Sequence, residues 1–279
     1  MNPNLFYLVF LLQVLLLSVF LPRRQVALMK NMMNQYPPAE YPRLYPQPEP
    51  HYQASRRSFL HISYLIAAAG LGLLGWMIFG TRDSGWDQQI VTGYYLLQFV
   101  PWFRLDLSAL REYRLMRMLN RESKRSACLK RRRLFEAVSP LLVYAAIGMY
   151  VIFCLFIVWM TRFDYEWFGG YLNVVILTVV NAIGIFITWR QLHGKRVDPH
   201  ESEADRLIRA GNTIRILLLT SIALSLYAML SVSMRALGLD AWQPLALSVY
   251  FQVLVLFTLR NYRFERQDYD VYRPKMEGS

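Results

Sequence analysis

Long apolar runs alternate along this chain with polar, basic stretches. The runs are apolar all round, with no polar face of the kind a half-covered soluble helix keeps. That is the pattern of segments solvated by lipid. Seven runs read as spans, at 5–21, 59–79, 87–103, 140–160, 170–189, 214–233 and 242–259. The first covers about 26 Å, near the lower limit for crossing hydrocarbon. In the third, the apolar stretch from Ile90 to Phe103 is interrupted by Gln98. It covers only about 21 Å, and becomes long enough when the turn before it is included. The expected fold is therefore all-α: one transmembrane domain, a polytopic bundle of seven helices.

The polar stretches are loops at 22–58, 104–139 and 190–213 and a tail at 260–279. Tyr-Pro pairs recur at Tyr36-Pro37, Tyr41-Pro42 and Tyr45-Pro46. Proline fixes φ and removes a donor, so residues 36–52 are expected to be extended or polyproline-like. Such a stretch suits a partner's reader domain, or serves as a plain linker. Pro101 is expected to disturb its helix. Beyond it Leu105, Ala109, Tyr113, Met116 and Leu119 share one helical face. Arg104, Arg111, Arg114 and Arg121 take the other, with Arg117 at its edge. A second helix is expected there, interfacial by this pattern, although a cytoplasmic helix packed on its own domain would carry nearly the same one. On span two Ala68, Gly72 and Gly75 share a face on which a neighbouring helix can approach closely.

Composition adds an orientation. The 279 residues are 55% hydrophobic, yet the net charge is +12. In a membrane protein the two belong to different places, since loops on the cytoplasmic side retain Lys and Arg. With seven spans, only Arg82, Arg162 and Arg235 fall on one side, leaving 28 of the 31 basic residues on the other. The N-terminus is then outside and the C-terminus inside. Met1 to Asn4 carries no Lys or Arg, whereas Arg23 and Arg24 follow the first run. That order suits a retained anchor better than a cleaved signal. A bacterial cytoplasmic membrane, the cell inner membrane, is the expected location.

Chemistry is sparse. No Asp, Glu, Lys or Arg lies deep in a span, which disfavours an ion-coupled pump. There is no glycine-rich phosphate loop, nucleophile elbow, metal-type cysteine pair or pair of catalytic carboxylates. Neither catalysis nor a cofactor is expected. His193 and His200 flank an acidic run without a ligand spacing, so no metal is expected. Cys128 and Cys154 are not expected to pair.

Two groups of residues remain as candidate sites. Asn173, Asn181 and Thr188 on span five, Ser221 and Ser225 on span six, and Ser248 and Gln252 on span seven lie on intramembrane polar faces. These are either packing contacts of about 1 kcal/mol each or the wall of a path for a solute. The second group is Arg111, Arg114, Arg117, Arg121, Lys130, Arg131, Arg132 and Arg133, more charge than orientation requires. Near an anionic membrane each contributes about 1 kcal/mol. The expected role is a non-enzymatic membrane protein whose basic cytoplasmic face contacts anionic lipids or a protein partner. The alternative is a transporter or channel for a neutral or lipidic solute. Nucleic acid is not expected, because no recognition domain accompanies the charge.

Overall fold

A backbone surrounded by lipid must satisfy its own hydrogen bonds, so each apolar run folds as a helix. The computed structural model describes residues 3–80, 88–119, 133–194, 198–261 and 268–273. Helix α1 (Pro3–Leu15) passes through a π-helical turn (Leu16–Phe20) into α2 (Leu21–Gln35). The turn has a local cause. Pro22 has no N–H for the Ser18 carbonyl, and the register loosens ahead of it, with Leu21 N–H donating to the Leu16 carbonyl. Helix therefore continues where a loop was expected from residue 22. Its Leu, Met, Ala, Arg, Lys and Gln are good helix formers, whatever their polarity.

The Tyr-Pro stretch is irregular from residue 36 to 48, held by turns such as Tyr41 N–H to the Pro37 carbonyl at 3.0 Å. Helix α3 (Glu49–Gly80) begins well ahead of the expected start at 59, with Pro50 in its first turn. Helix α4 (Gln88–Leu119) runs unbroken through Pro101. The separate interfacial helix expected after Pro101 is thus the second half of one rod. Its 32 residues extend about 48 Å, enough to cross hydrocarbon and project beyond it.

The remainder is α5 (Leu134–Ala137), α6 (Pro140–Met160), α7 (Leu172–His193), α8 (Glu203–Ala236) and α9 (Gln243–Asn261), with a last 3-10 turn at Tyr269–Tyr272. Helix α8 starts ahead of the expected 214 because Ser202 caps it. The Ser202 hydroxyl accepts from Asp205 N–H at 3.1 Å, and Glu203 and Asp205 face the positive end of the helix dipole. Among the described residues six helical segments are long and apolar enough to cross a membrane: Asn4–Gln35, Glu49–Gly80, Pro140–Phe163, Leu172–His193, Glu203–Ala236 and Asp240–Phe257. The chain is in this sense a multi-pass membrane protein. Helix α4, home of the expected third span, is not among the six. Its first half is nevertheless packed in the bundle, with Val91, Tyr94, Tyr95 and Gln98 buried.

Two groups of helices form the bundle. In one, Phe6, Phe10 and Val14 of α1 pack on Ile66, Ala67, Leu74 and Met77 of α3, Val91 and Tyr94 of α4 and Leu247 of α9. In the other, Phe153 and Ile157 of α6 and Leu177 of α7 pack with Leu224 and Ala228 of α8. Helix α8 joins the groups against α9, where the Tyr227 and Tyr250 rings stack at 4.6 Å. Apolar side chains of α7, among them Ile176, Val179, Ile183 and Phe186, point away from the bundle as a lipid-facing surface.

The small-residue face expected on α3 is not the contact. Ala68 is exposed, and nothing approaches Gly72 or Gly75. The close approach is at Gly70, on the opposite side of the helix. The Tyr94 hydroxyl reaches past it to donate to the Ile66 carbonyl at 3.0 Å. A Cβ at position 70 would overlap that hydroxyl and crowd Val14. Gly70→Ala is expected to destabilise the bundle by about 1–3 kcal/mol through overpacking. Thermal unfolding in detergent measures it, and the double variant Gly70→Ala/Tyr94→Leu should recover part of the loss.

Candidate functional site

The basic residues distribute as follows. Arg104, Arg111, Arg114 and Arg117 are exposed on α4. They are interspersed with exposed Leu107, Leu110, Met118 and Leu119, the last two 71% and 65% accessible. Arg133 is exposed in extended conformation ahead of α5. Arg121, Lys130, Arg131 and Arg132 lie outside the described residues, as does Cys128. Cys154 is a free thiol.

Helices α3 and α4 run antiparallel, with Phe59 against Trp102 and Ile66 against Tyr94. Beyond Phe59 they enclose a pocket of about 380 Å³. From α3 it receives His51, Ser55 and Ser58, and from α4 Arg104, Ser108 and Arg111. Toward the bundle its walls are Phe59, Ile62, Pro101 and Leu105. Among the described residues no carboxylate lines it. Partial desolvation pushes the nearby Asp106 carboxyl of α4 up, and burial pushes that of Glu112 up to about 7. Of this pocket the sequence had singled out Arg111 as a contact residue and had placed Arg104 on the arginine face. Ser55, Ser58 and His51 fall within the loop expected at 22–58, whereas Ser108 lies in the one expected at 104–139.

The intramembrane polar residues separate into different contacts. Between α7 and α8, the Ser221 hydroxyl donates to Asn181 Oδ1 at 2.7 Å, and Ser225 donates to its own helix at the Ser221 carbonyl at 2.9 Å. Asn173 turns back to the Gly170 carbonyl at 3.1 Å, and Thr188 is half-buried on α7. Residues of α9 meet α1 instead. The Ser248 hydroxyl donates to Gln13 Oε1, and Gln252 donates to the Val9 carbonyl at 3.1 Å. The Gln13 amide then donates to Gln98 Oε1, and the Gln98 amide to the Ser18 hydroxyl, both at 2.9 Å. All four side chains are at most 3% accessible. A dry chain of hydrogen bonds thus ties α9, α1 and α4 together and ends in the π-helical turn. Gln13 was not singled out in the sequence, and Gln98 was read only as an interruption. A glutamine in each of two apolar runs was the available signal.

A third cluster joins distant loops. Asp198, Glu201, Asp205 and Arg206 are buried. Arg209 pairs with Glu201 at 2.6 Å, Arg206 donates to the Gly194 carbonyl at 2.5 Å, and Tyr272 donates to Asp198 at 2.5 Å. Tyr269 and Tyr272 also pack on Tyr41, and Tyr36 lies 4.2 Å from the Tyr269 ring. The Tyr-Pro stretch is therefore covered by this chain's own segment 268–273. Burial, only partly offset by Arg209, pushes the Glu201 carboxyl up to about 7, and its Oε1 has no hydrogen-bond partner among the described residues. His193 bonds to the Trp189 carbonyl, and no group of His, Cys, Asp and Glu among the described residues has the arrangement to hold a metal.

Two outcomes are expected. Gln98→Leu leaves the Gln13 amide and Ser18 hydroxyl short of partners, at about 1–2 kcal/mol in thermal unfolding. The second concerns pH. Between the ordinary carboxyl value of 4.5 and about 7, native Glu201 holds a proton that the unfolded chain has lost. Stability then falls as pH rises through that interval, by on the order of 3 kcal/mol at most. Melting temperature against pH should slope less in Glu201→Gln, and least when Glu112→Gln is added.

No known protein family, curated protein or solved structure matches the chain, which leaves these side chains as the ground for a functional reading.

Proposed function

We propose that this is a non-enzymatic membrane protein of seven spans, N-terminus outside and C-terminus inside a bacterial cytoplasmic membrane. Its basic inner face engages anionic lipid. One observation carries the reading: the half of α4 beyond Pro101 exposes Arg104, Arg111, Arg114 and Arg117 together with Leu107, Leu110, Met118 and Leu119. A helix in water gains nothing from exposing those apolar side chains. At a bilayer surface they enter the acyl boundary while the guanidinium groups meet phosphates. The same half of α4 follows a buried half, so the bundle holds it at the membrane edge.

Passage of a neutral or lipidic solute draws no support from Asn181, Ser225 and Gln252. Asn181 Oδ1 accepts from the Ser221 hydroxyl, Ser225 donates to the Ser221 carbonyl, and the Gln252 amide donates to the Val9 carbonyl.

The test replaces Arg114, Arg117 and Arg121 by Gln in protein reconstituted into mixed anionic and zwitterionic bilayers. Spin-labelled lipids report which species the protein surface immobilises. The wild-type chain should select the anionic label, less so at high salt. The variant should lose about 1 kcal/mol of selectivity per arginine removed. Equal selectivity in both chains would falsify the reading.

A further inference from the structure

We propose that the pocket between α3 and α4 binds one anionic phospholipid, with its phosphate between Arg104 and Arg111 and the start of its acyl chains against Phe59, Ile62, Pro101 and Leu105. The inference rests on the reading that this end of α4 faces the anionic leaflet, and it adds a discrete, saturable site to a diffuse surface.

Polarity changes along the pocket in the order a lipid requires. Arg111, His51 and Ser55 lie at the end away from the bundle, and Ile62 and Pro101 at the end that enters it. Arg104 and Arg111 stand two turns apart, about 10 Å along the helix, with Ser108 between them on the same face. Two guanidinium forks separated in this way flank a phosphate and its ester oxygens, which they match better than a point charge would. Ser55, Ser58 and Ser108 offer hydroxyls to the same oxygens.

The choice of an anionic head follows from what the pocket contains. Among the described residues no carboxylate lines the pocket to meet an ammonium group, and no cage of aromatic rings is there to hold choline. Among the described residues neither Arg104 nor Arg111 makes an ion pair. The volume of about 380 Å³ is at the small end of the ligand-pocket range of roughly 300–1,000 Å³. That suits a headgroup and glycerol, with the rest of each chain leaving into the bilayer.

The experiment is native mass spectrometry of the full chain in mild detergent, with phosphatidylglycerol and phosphatidylcholine supplied together. One phosphatidylglycerol per chain should be retained saturably, in preference to phosphatidylcholine. The variant R104Q/R111Q should bind it roughly 30-fold more weakly, about 1 kcal/mol per arginine. R104K/R111K should retain part of the binding. Filling the apolar end with Ile62→Trp, all charges kept, should also expel the lipid. The control R114Q/R117Q removes the same charge outside the pocket and should leave the single copy in place.

Equal loss in R114Q/R117Q and R104Q/R111Q would overturn the pocket while leaving the surface reading intact. Equal retention of phosphatidylcholine would overturn the anionic head. Displacement by inorganic phosphate alone would overturn a lipid ligand in favour of free phosphate. If R104Q/R111Q does not fold, unchanged retention in a folded Ile62→Trp chain overturns the site.

Discussion

The amide pair between Gln13 and Gln98 is the contact on which the arrangement turns. Helix α4 is too polar to be counted with the six helices that cross by composition. In hydrocarbon its Gln98 would be an unsatisfied amide. It is buried because Gln13 of α1 donates to it and Ser18 receives from it, while Ser248 of α9 completes the Gln13 carbonyl. Each bond in such a chain is modest by itself. Leaving any group unpaired in a dry interior costs more than the bond contributes, so the three helices are held to one register. Tyr94, one turn before Gln98, uses that register to pass Gly70 and reach the Ile66 carbonyl. Fixing the first half of α4 fixes where its arginine half emerges.

The existence of the helices was legible in the alternation of apolar and polar stretches, because lipid leaves an apolar backbone no other choice. Their ends were not legible. Residues 22–35 and 49–58 contain Arg, Lys, Gln, His and Ser, which a hydropathy pattern scores as loop. The same residues are acceptable helix formers once an adjoining span has nucleated the helix. A loop was expected to begin at Pro22, and Pro101 was expected to disturb its helix. A π-helical turn absorbs the first, and a packed helix continues through the second. On α3, spacing identified small residues at 68, 72 and 75, but helical periodicity does not say which face meets a neighbour. Gly70 does.

The same boundary error concealed the pocket. With α3 taken to start at 59, His51, Ser55 and Ser58 appeared to be parts of a Tyr-Pro loop. In the structure they form one wall, opposite Arg104 and Arg111. The arginines themselves were legible as surplus charge. Their partners were not, because the pairing of α3 with α4 is a tertiary fact. The polar faces on spans five to seven show the reverse: the residues were identified, yet Ser248 and Gln252 turn to α1 while Asn181 turns to Ser221.

Charge at this end of the bundle is unevenly neutralised, and the unevenness has a physical pattern. Around α8 the carboxylates of Asp198 and Glu201 are met by Tyr272 and Arg209, and the segment 268–273 closes over Tyr36 and Tyr41. That cluster is satisfied internally, apart from one carboxylate oxygen of Glu201. Around α4, burial raises Asp106 and Glu112 instead of an arginine neutralising them, and Arg104 and Arg111 are left beside a cavity. Glu112, pushed up to about 7, is a weakened counter-ion to those arginines, and among the described residues neither carboxylate lines the cavity. Among the described residues no carboxylate pairs with Arg104 or Arg111, which leaves their charge to water and small anions or to the lipid phosphates of the proposed site. The apolar wall at Ile62 and Pro101 is why a lipid is the occupant proposed, since water gains nothing there and an acyl chain does.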